Sequence, residues 1–233
     1  MYIPKDARDI ALAILIATGI ACGPSADARR KTDSADAAAA QAKVSAQAGE
    51  VMSGRDEAQP YLDTARRAFL TKDHAVTSKG LRDAASFTRG QADSAIEPAK
   101  KALMASADEL DRLAARVSKG AVKTVKALDN AFARTQLAEA QLHCTRALDA
   151  WKNKNAGATS AEIVMLADHF ERAAADMGQP LGTSAQQAVA TARSVSRNLT
   201  QVAKVPQADV EAALATMDTE VHSLMKSAAK LKS

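Results

Sequence analysis

Residues 147–176 read ALDAWKNKNAGATSAEIVMLADHFERAAAD, and this stretch decides the fold class. Leu148 and Trp151 close an apolar helical row that runs back through Leu137, Ala140 and Cys144 at spacings of three and four. Lys152–Gly157 (KNKNAG) is a polar turn rich in asparagine and ending in glycine. Thr159-Ser160-Ala161-Glu162 then has the form of a capping box, in which two side chains satisfy orphan N–H groups reciprocally. It predicts a helix to about Met177. Helix, short turn and helix make an antiparallel hairpin.

The same design occurs earlier. ARRAFLTKD (65–73) followed by LRDAASFTRGQAD (81–93) is again a helix, a polar turn and a return helix. Ala65, Ala68 and Phe69 match Ala147, Ala150 and Trp151. With one residue inserted, Ala84, Phe87, Arg89, Ala92 and Asp93 match Ala167, Phe170, Arg172, Ala175 and Asp176. Self-similarity of this kind is the mark of helical repeat proteins. The hairpins resemble tetratricopeptide hairpins, without a 34-residue period. Their A-R-x-A-aromatic helix before a polar turn is also similar to alanine-rich exported helical proteins of the YfdX type. That resemblance implies a helical fold and an exported location, and no activity.

The rest of the chain extends the helical reading. Pro60–Thr71 is a helix with proline in its first turn. Another runs from about Ala75 to Asp93, and Ser94-Ala95-Ile96-Glu97 is a capping box that opens the next. From there a helical pattern runs through Leu103, Leu110, Val117, Val125 and Phe132 as far as Trp151, with Gly120 or Asn130 as candidate breaks. Thr183-Ser184-Ala185-Gln186 is a third box, opening a helix to about Lys204, and Pro206 begins the last one. No segment alternates apolar and polar residues in the manner of a strand. The expected fold is all-α: an alanine-rich helical bundle of about seven helices with two related hairpins.

Composition fits this. Hydrophobic residues are 47% of the chain but aromatics only 3%. Much of the apolar content is alanine, the best helix former and one with little side chain to bury. Thin, close-packed helix interfaces follow. A net charge of +4 is too mild to require a nucleic-acid partner.

The N-terminus assigns a compartment. The apolar run Ile10–Ala21 is shorter than the roughly twenty residues a helix needs to cross a bilayer, and fits the apolar region of a signal peptide. Gly19-Ile20-Ala21-Cys22 resembles the lipobox of bacterial lipoproteins, with Ala21 matching and Gly19 standing where leucine is usual. The resemblance implies acylation of Cys22, and Gly23 after it favours the outer membrane. Ala26-Asp27-Ala28 is a rival A-x-A cleavage site. The expected organisation is a signal peptide at 1–21, a tether with an alanine-rich helix at 22–55, and a helical bundle domain at 56–233. Cys144 then has no partner in the chain and is expected to be buried, since free cysteine packs as a small hydrophobe.

Candidate chemistry is sparse. Antiparallel helices joined near Ala156 bring His143 and Cys144 opposite Asp168, His169 and Phe170, a donor set that could hold a transition metal or haem. The commoner reading is packing. Arg112, Arg116, Lys119, Lys123 and Lys126 form one basic stripe, a solvated face or a contact for an anionic surface. Asp108, Glu109 and Asp111 read as pairing along a helix surface. No nucleophile elbow, P-loop, dinucleotide fingerprint, H-E-x-x-H or C-x-x-C-H motif occurs. The expectation is a non-enzyme without a cofactor, held to a membrane by its lipid and able to bind a protein partner or itself. The alternatives are a metal- or haem-binding bundle using His143 and His169, and a cytosolic helical protein coating granules or nucleic acid.

Overall fold

Seven helices carry the fold in the computed structural model, which describes residues 58–201 and 205–231. They are α1 (Ala58–Leu70), α2 (His74–Asp93), α3 (Ala99–Ser118), α4 (Val125–Lys152), α5 (Ala156–Met177), α6 (Thr183–Thr200) and α7 (Gln207–Ala228). No strand occurs among the described residues. The expected signal peptide, the acylated Cys22 and the tether with its alanine-rich helix lie outside them.

The two hairpin turns are built alike, residue for residue. Lys72 and Lys154 both take positive φ, at 63° and 56°. The next residue caps the return helix: the Asp73 carboxylate accepts from the Val76 N–H, and the Asn155 side-chain oxygen accepts from the Ala158 N–H, each at 3.0 Å. Asp73 N–H donates back to Ala68 O and Asn155 N–H to Ala150 O, both at 2.9 Å. These bonds satisfy helix-end groups that would otherwise be orphans. Thr159 to Glu162 therefore lie inside α5 and do not cap it, because Asn155 has already done so.

The other two expected boxes also fail. Ser94 ends α2, with its N–H on the Ala92 and Gln91 carbonyls. At α6 the N-cap is Gly182, and the Gln186 amide donates to Leu181 O.

The likeness of the halves extends far beyond the turns, at a constant offset of 82 positions (160 minus 78 for the serines that follow). Ser78 Oγ on α2 donates to Ala114 O on α3, and Ser160 Oγ on α5 donates to Ser196 O on α6, both at 3.0 Å. Buried α3 positions Leu103, Ser106, Ala107, Leu110, Leu113, Ala114 and Val117 recur on α6 as Ala185, Ala188, Val189, Ala192, Val195, Ser196 and Leu199. Leu128, Ala131 and Phe132 on the first half of α4 recur on α7 as Val210, Ala213 and Leu214. Ala58, Leu62 and Ala65 on α1 recur as Ala140, Cys144 and Ala147 on the second half of α4.

The inserted residue in the sequence alignment is thereby removed. Phe170 corresponds to Thr88, both buried, and Phe87 corresponds to His169. One helix, α4, thus closes the first repeat and opens the second. Leu128, Ala131 and Phe132 of α4 join α1–α3 in one core, Ala133, Leu137, Ala140, Cys144 and Ala147 join α5–α7 in another, and Ala138 and Leu142 pack on α2 and α3.

The long helical pattern breaks at Gly120, not Asn130. Gly120 takes φ 64°, a left-handed conformation that glycine adopts without a Cβ penalty, and its N–H bonds Val117 O. Asn130 lies inside α4 and is buried. Interfaces are thin, as the alanine content requires. At Gly80 on α2 an added Cβ would stand 3.0 Å from Tyr61 O and 3.2 Å from Ala65 Cβ.

The C-terminal turn of α7 crosses back onto the first repeat. Arg134 donates to Ala228 O at 2.9 Å, and Met225, Ala228 and Ala229 face Ala102, Ala105 and Leu137 around a space of about 220 Å³ between α3 and α4. The corresponding groove of the second repeat, between α6 and α7, holds about 640 Å³. Ser184, Gln187, Thr191, Ser194 and Asn198 line its α6 wall.

Candidate functional site

Where α4 meets α5, the second repeat contains a buried polar seam. Gln136, Glu139 and His143 follow one another on one face of α4 at spacings of three and four, the period of a helix. Glu162 and His169 face them from α5, and Gln59 reaches in from α1. Gln136, Glu139, His143, Glu162 and His169 are all almost completely shielded from solvent.

The contacts form two linked sets. His143 Nδ1–H donates to Glu162 Oε2 at 2.6 Å. His169 Nδ1–H donates to Gln136 Oε1 at 2.6 Å, and Glu139 Oε2 lies within ion-pair distance, 3.1 Å, of the same nitrogen. The Gln136 amide in turn donates to Gln59 Oε1 at 2.5 Å, and the Gln59 amide donates to Asp63 Oδ1 at 2.9 Å. A chain of hydrogen bonds therefore runs from the buried imidazole of His169 to a half-buried carboxylate on α1. The two imidazoles stack nearly parallel, with centroids 5.1 Å apart and planes inclined by 9°.

A seam of this kind is costly to a core. Buried carboxylates and imidazoles lose hydration that their mutual contacts offset only when geometry is good. The first repeat lacks its two imidazoles and the carboxylate that meets one of them. At the positions of His143, Glu162 and His169 it has Tyr61, Gly80 and Phe87. Where Gly80 brings two backbones into contact, Glu162 carries a side chain that meets the imidazole. The scaffold therefore does not require these polar residues.

Other ion pairs tie helices together. Arg66 on α1 reaches Asp129 on α4 at 2.9 Å and Asp176 on α5 at 2.5 Å, with its guanidinium 5.1 Å from the centre of the Phe132 ring. Burial pushes the Asp176 carboxyl up, and the Arg66 hydrogen bond opposes that shift. Asp108 and Asp111 pair with Arg89 on α2, and Glu109 with Arg134 on α4. The pairing expected along the α3 surface is therefore made between helices.

The sequence-derived candidates separate on inspection. His143 and His169 come together. Cys144 does not join them: it faces α7, its thiol 3.8 Å from Leu214 O, and burial pushes its pKa up to about 12. Asp168 also turns away, to Arg193. Among the described residues no group of three or more His, Cys, Asp and Glu could hold a metal ion.

The basic stripe is interrupted, because Gly120 divides it between two helices. Arg112 and Arg116 lie on α3, Lys119 caps it, and Lys123 sits in the linker. Lys126 Nζ donates to Met177 O at the end of α5, at 2.7 Å, where a cation complements the helix dipole.

Sequence reasoning missed Gln136, Glu139 and Glu162. The first two were visible as polar residues in step with His143 on a mostly apolar helix. Glu162 was masked by its fit to a capping box. Compared with known proteins, the chain matches no family model, no curated protein and no solved structure.

Proposed function

We propose that the chain is an exported, lipid-anchored helical protein of the bacterial envelope with a binding or structural role and no catalysis. One observation carries the reading: the order of segments. The apolar run Ile10–Ala21 is followed by Cys22, then by a polar stretch, then by a helical body. None of the described helices is long and apolar enough to cross a membrane. Attachment through Cys22 would supply what the helices do not, since several acyl chains hold a protein stably where one holds it reversibly. The alanine-lined helices suit close approach by a helical partner or a second copy. Mass spectrometry of the mature N-terminus tests the reading. Acyl mass on Cys22, lost in Cys22→Ala, supports it. A terminus beginning at Met1 removes it.

A second reading has its own observation, the parallel imidazoles of His143 and His169. A carboxylate or amide oxygen on Nδ1 is how metal-binding histidines are oriented by their surroundings. On this reading the protein is a metal- or haem-binding bundle. Metal analysis and an absorption spectrum of the purified protein decide it, and a colourless, metal-free, stably folded sample removes it.

A further inference from the structure

The internal duplication supplies a control for every groove in the molecule, and one groove differs from its counterpart in charge. Between α3, the start of α4 and the end of α7 lies a pocket of about 360 Å³. Arg112 and Arg116, one helical turn apart on α3, and Arg134 on α4 line it, with apolar walls from Leu113, Ala127 and Leu231.

Arg134 is held in place. Its guanidinium takes both oxygens of Glu109 and also donates to Ala228 O. Arg112 and Arg116 are exposed, and neither side chain makes a hydrogen bond or ion pair among the described residues. Among the described residues that line the pocket, three guanidiniums face one carboxylate, a net charge of +2 beside an apolar wall.

The fold does not demand this. In the matching groove of the second repeat Arg112, Arg116 and Arg134 become Ser194, Asn198 and Thr216, and Glu109 becomes Thr191. The same helix pair folds with hydroxyls and an amide at all four places.

We propose that this pocket binds a phosphate group, with Arg112 and Arg116 as its ligands and Arg134 fixed beside them. Arginine suits the role because its planar fork of donors matches phosphate oxygens two at a time. A dianion balances the two free charges. The phosphate could belong to a small soluble monoester, which is a dianion, or to a lipid headgroup, a diester with one charge, since both present non-bridging oxygens to the arginines. The inference does not depend on export or acylation.

The full chain carrying Cys22→Ala, which removes any acyl contribution, is titrated calorimetrically with inorganic phosphate at low ionic strength. It is also floated with vesicles of phosphatidylglycerol and, separately, of phosphatidylcholine. Saturable phosphate binding is expected. It should weaken at least tenfold in Arg112→Ser/Arg116→Asn, substitutions taken from the second repeat and thus compatible with folding. It should not change in Lys119→Ala/Lys123→Ala, which alters net charge equally. If phosphatidylglycerol vesicles also bind and the arginine variant abolishes this, the source is a headgroup. If only free phosphate binds, the source is a soluble ester. Absence of binding to both inorganic phosphate and phosphatidylglycerol vesicles overturns the proposal. So does equal loss in the arginine and lysine variants, which would mark a general charge effect.

Discussion

Arg193 on α6 binds Glu171 on α5 at 2.5 Å, and 82 positions earlier the same two places are held by Asp111 and Arg89, with the charges exchanged. The contact survived while its chemistry was inverted. Both pairs are more than a third exposed on at least one side, so each is worth little, about 0.2–1 kcal/mol. Arg89→Asp should destabilise the protein by about that amount, since it sets three carboxylates together with Asp108 and Asp111. Adding Asp111→Arg should recover most of the loss. Urea denaturation of the single and double variants measures this, and a double variant less stable than the single one contradicts the equivalence.

Two glycines on one helix should respond to the same substitution in opposite directions. Gly80→Ala forces a Cβ against Tyr61 O and the Ala65 backbone and side chain, which cannot move aside cheaply. The expected cost is about 1–3 kcal/mol. Gly90 has nothing within 4 Å of the added atom. There alanine should stabilise α2 by about 0.5–1 kcal/mol, through the entropy of the unfolded chain. Thermal melts of the two variants provide the comparison.

The His143–Glu162 pair should show strong non-additivity. Removing Glu162 alone, as Glu162→Leu, leaves a buried imidazole without its carboxylate and should cost about 3–5 kcal/mol. His143→Leu together with Glu162→Leu should cost less than Glu162→Leu alone, because neither partner is then left buried without the other. A double-mutant cycle by chemical denaturation reads the difference directly.

Cys144 should be inert in the native state and should make stability fall at high pH. Burial lifts its thiol from 9.0 to about 12. Between those values the unfolded chain has given up the proton and the folded chain still holds it. Fewer protons are then bound unfolded than folded, so raising pH above 9 weakens folding. In Cys22→Ala, a thiol reagent at pH 8 should react only after denaturant is added. The alkaline fall in stability should shrink in Cys22→Ala/Cys144→Ala.

Much of the fold was legible because it rests on periodicity. The hairpin at 147–176 reads as helix, turn, helix from spacing and from KNKNAG alone. The duplication was legible too, but its register was not. Matching Phe87 to Phe170 required an inserted residue, because identity was the only guide on alanine-rich helices. The structure pairs Phe170 with Thr88 instead, since both fill the same buried place. Capping boxes misled for a related reason. Ser-x-x-Glu is short, and at 159–162 those residues look inward to His143 and Ser196, a tertiary use that local pattern does not encode. The polar seam was half legible. Two histidines stood out by rarity, while glutamine and glutamate on a helix look like surface until their neighbours are known.

That α4 ends one repeat and begins the next has a mechanical consequence. No linker separates the halves, so no cut within 125–152 yields two self-contained pieces. A single residue added midway along this rod would swing everything after it by about 100° and push it outward by about 1.5 Å. The duplicated gene product has been welded at its joint. Its two ends are phased to one another by the winding of a single spiral, and length changes are confined to the turns and tails outside it.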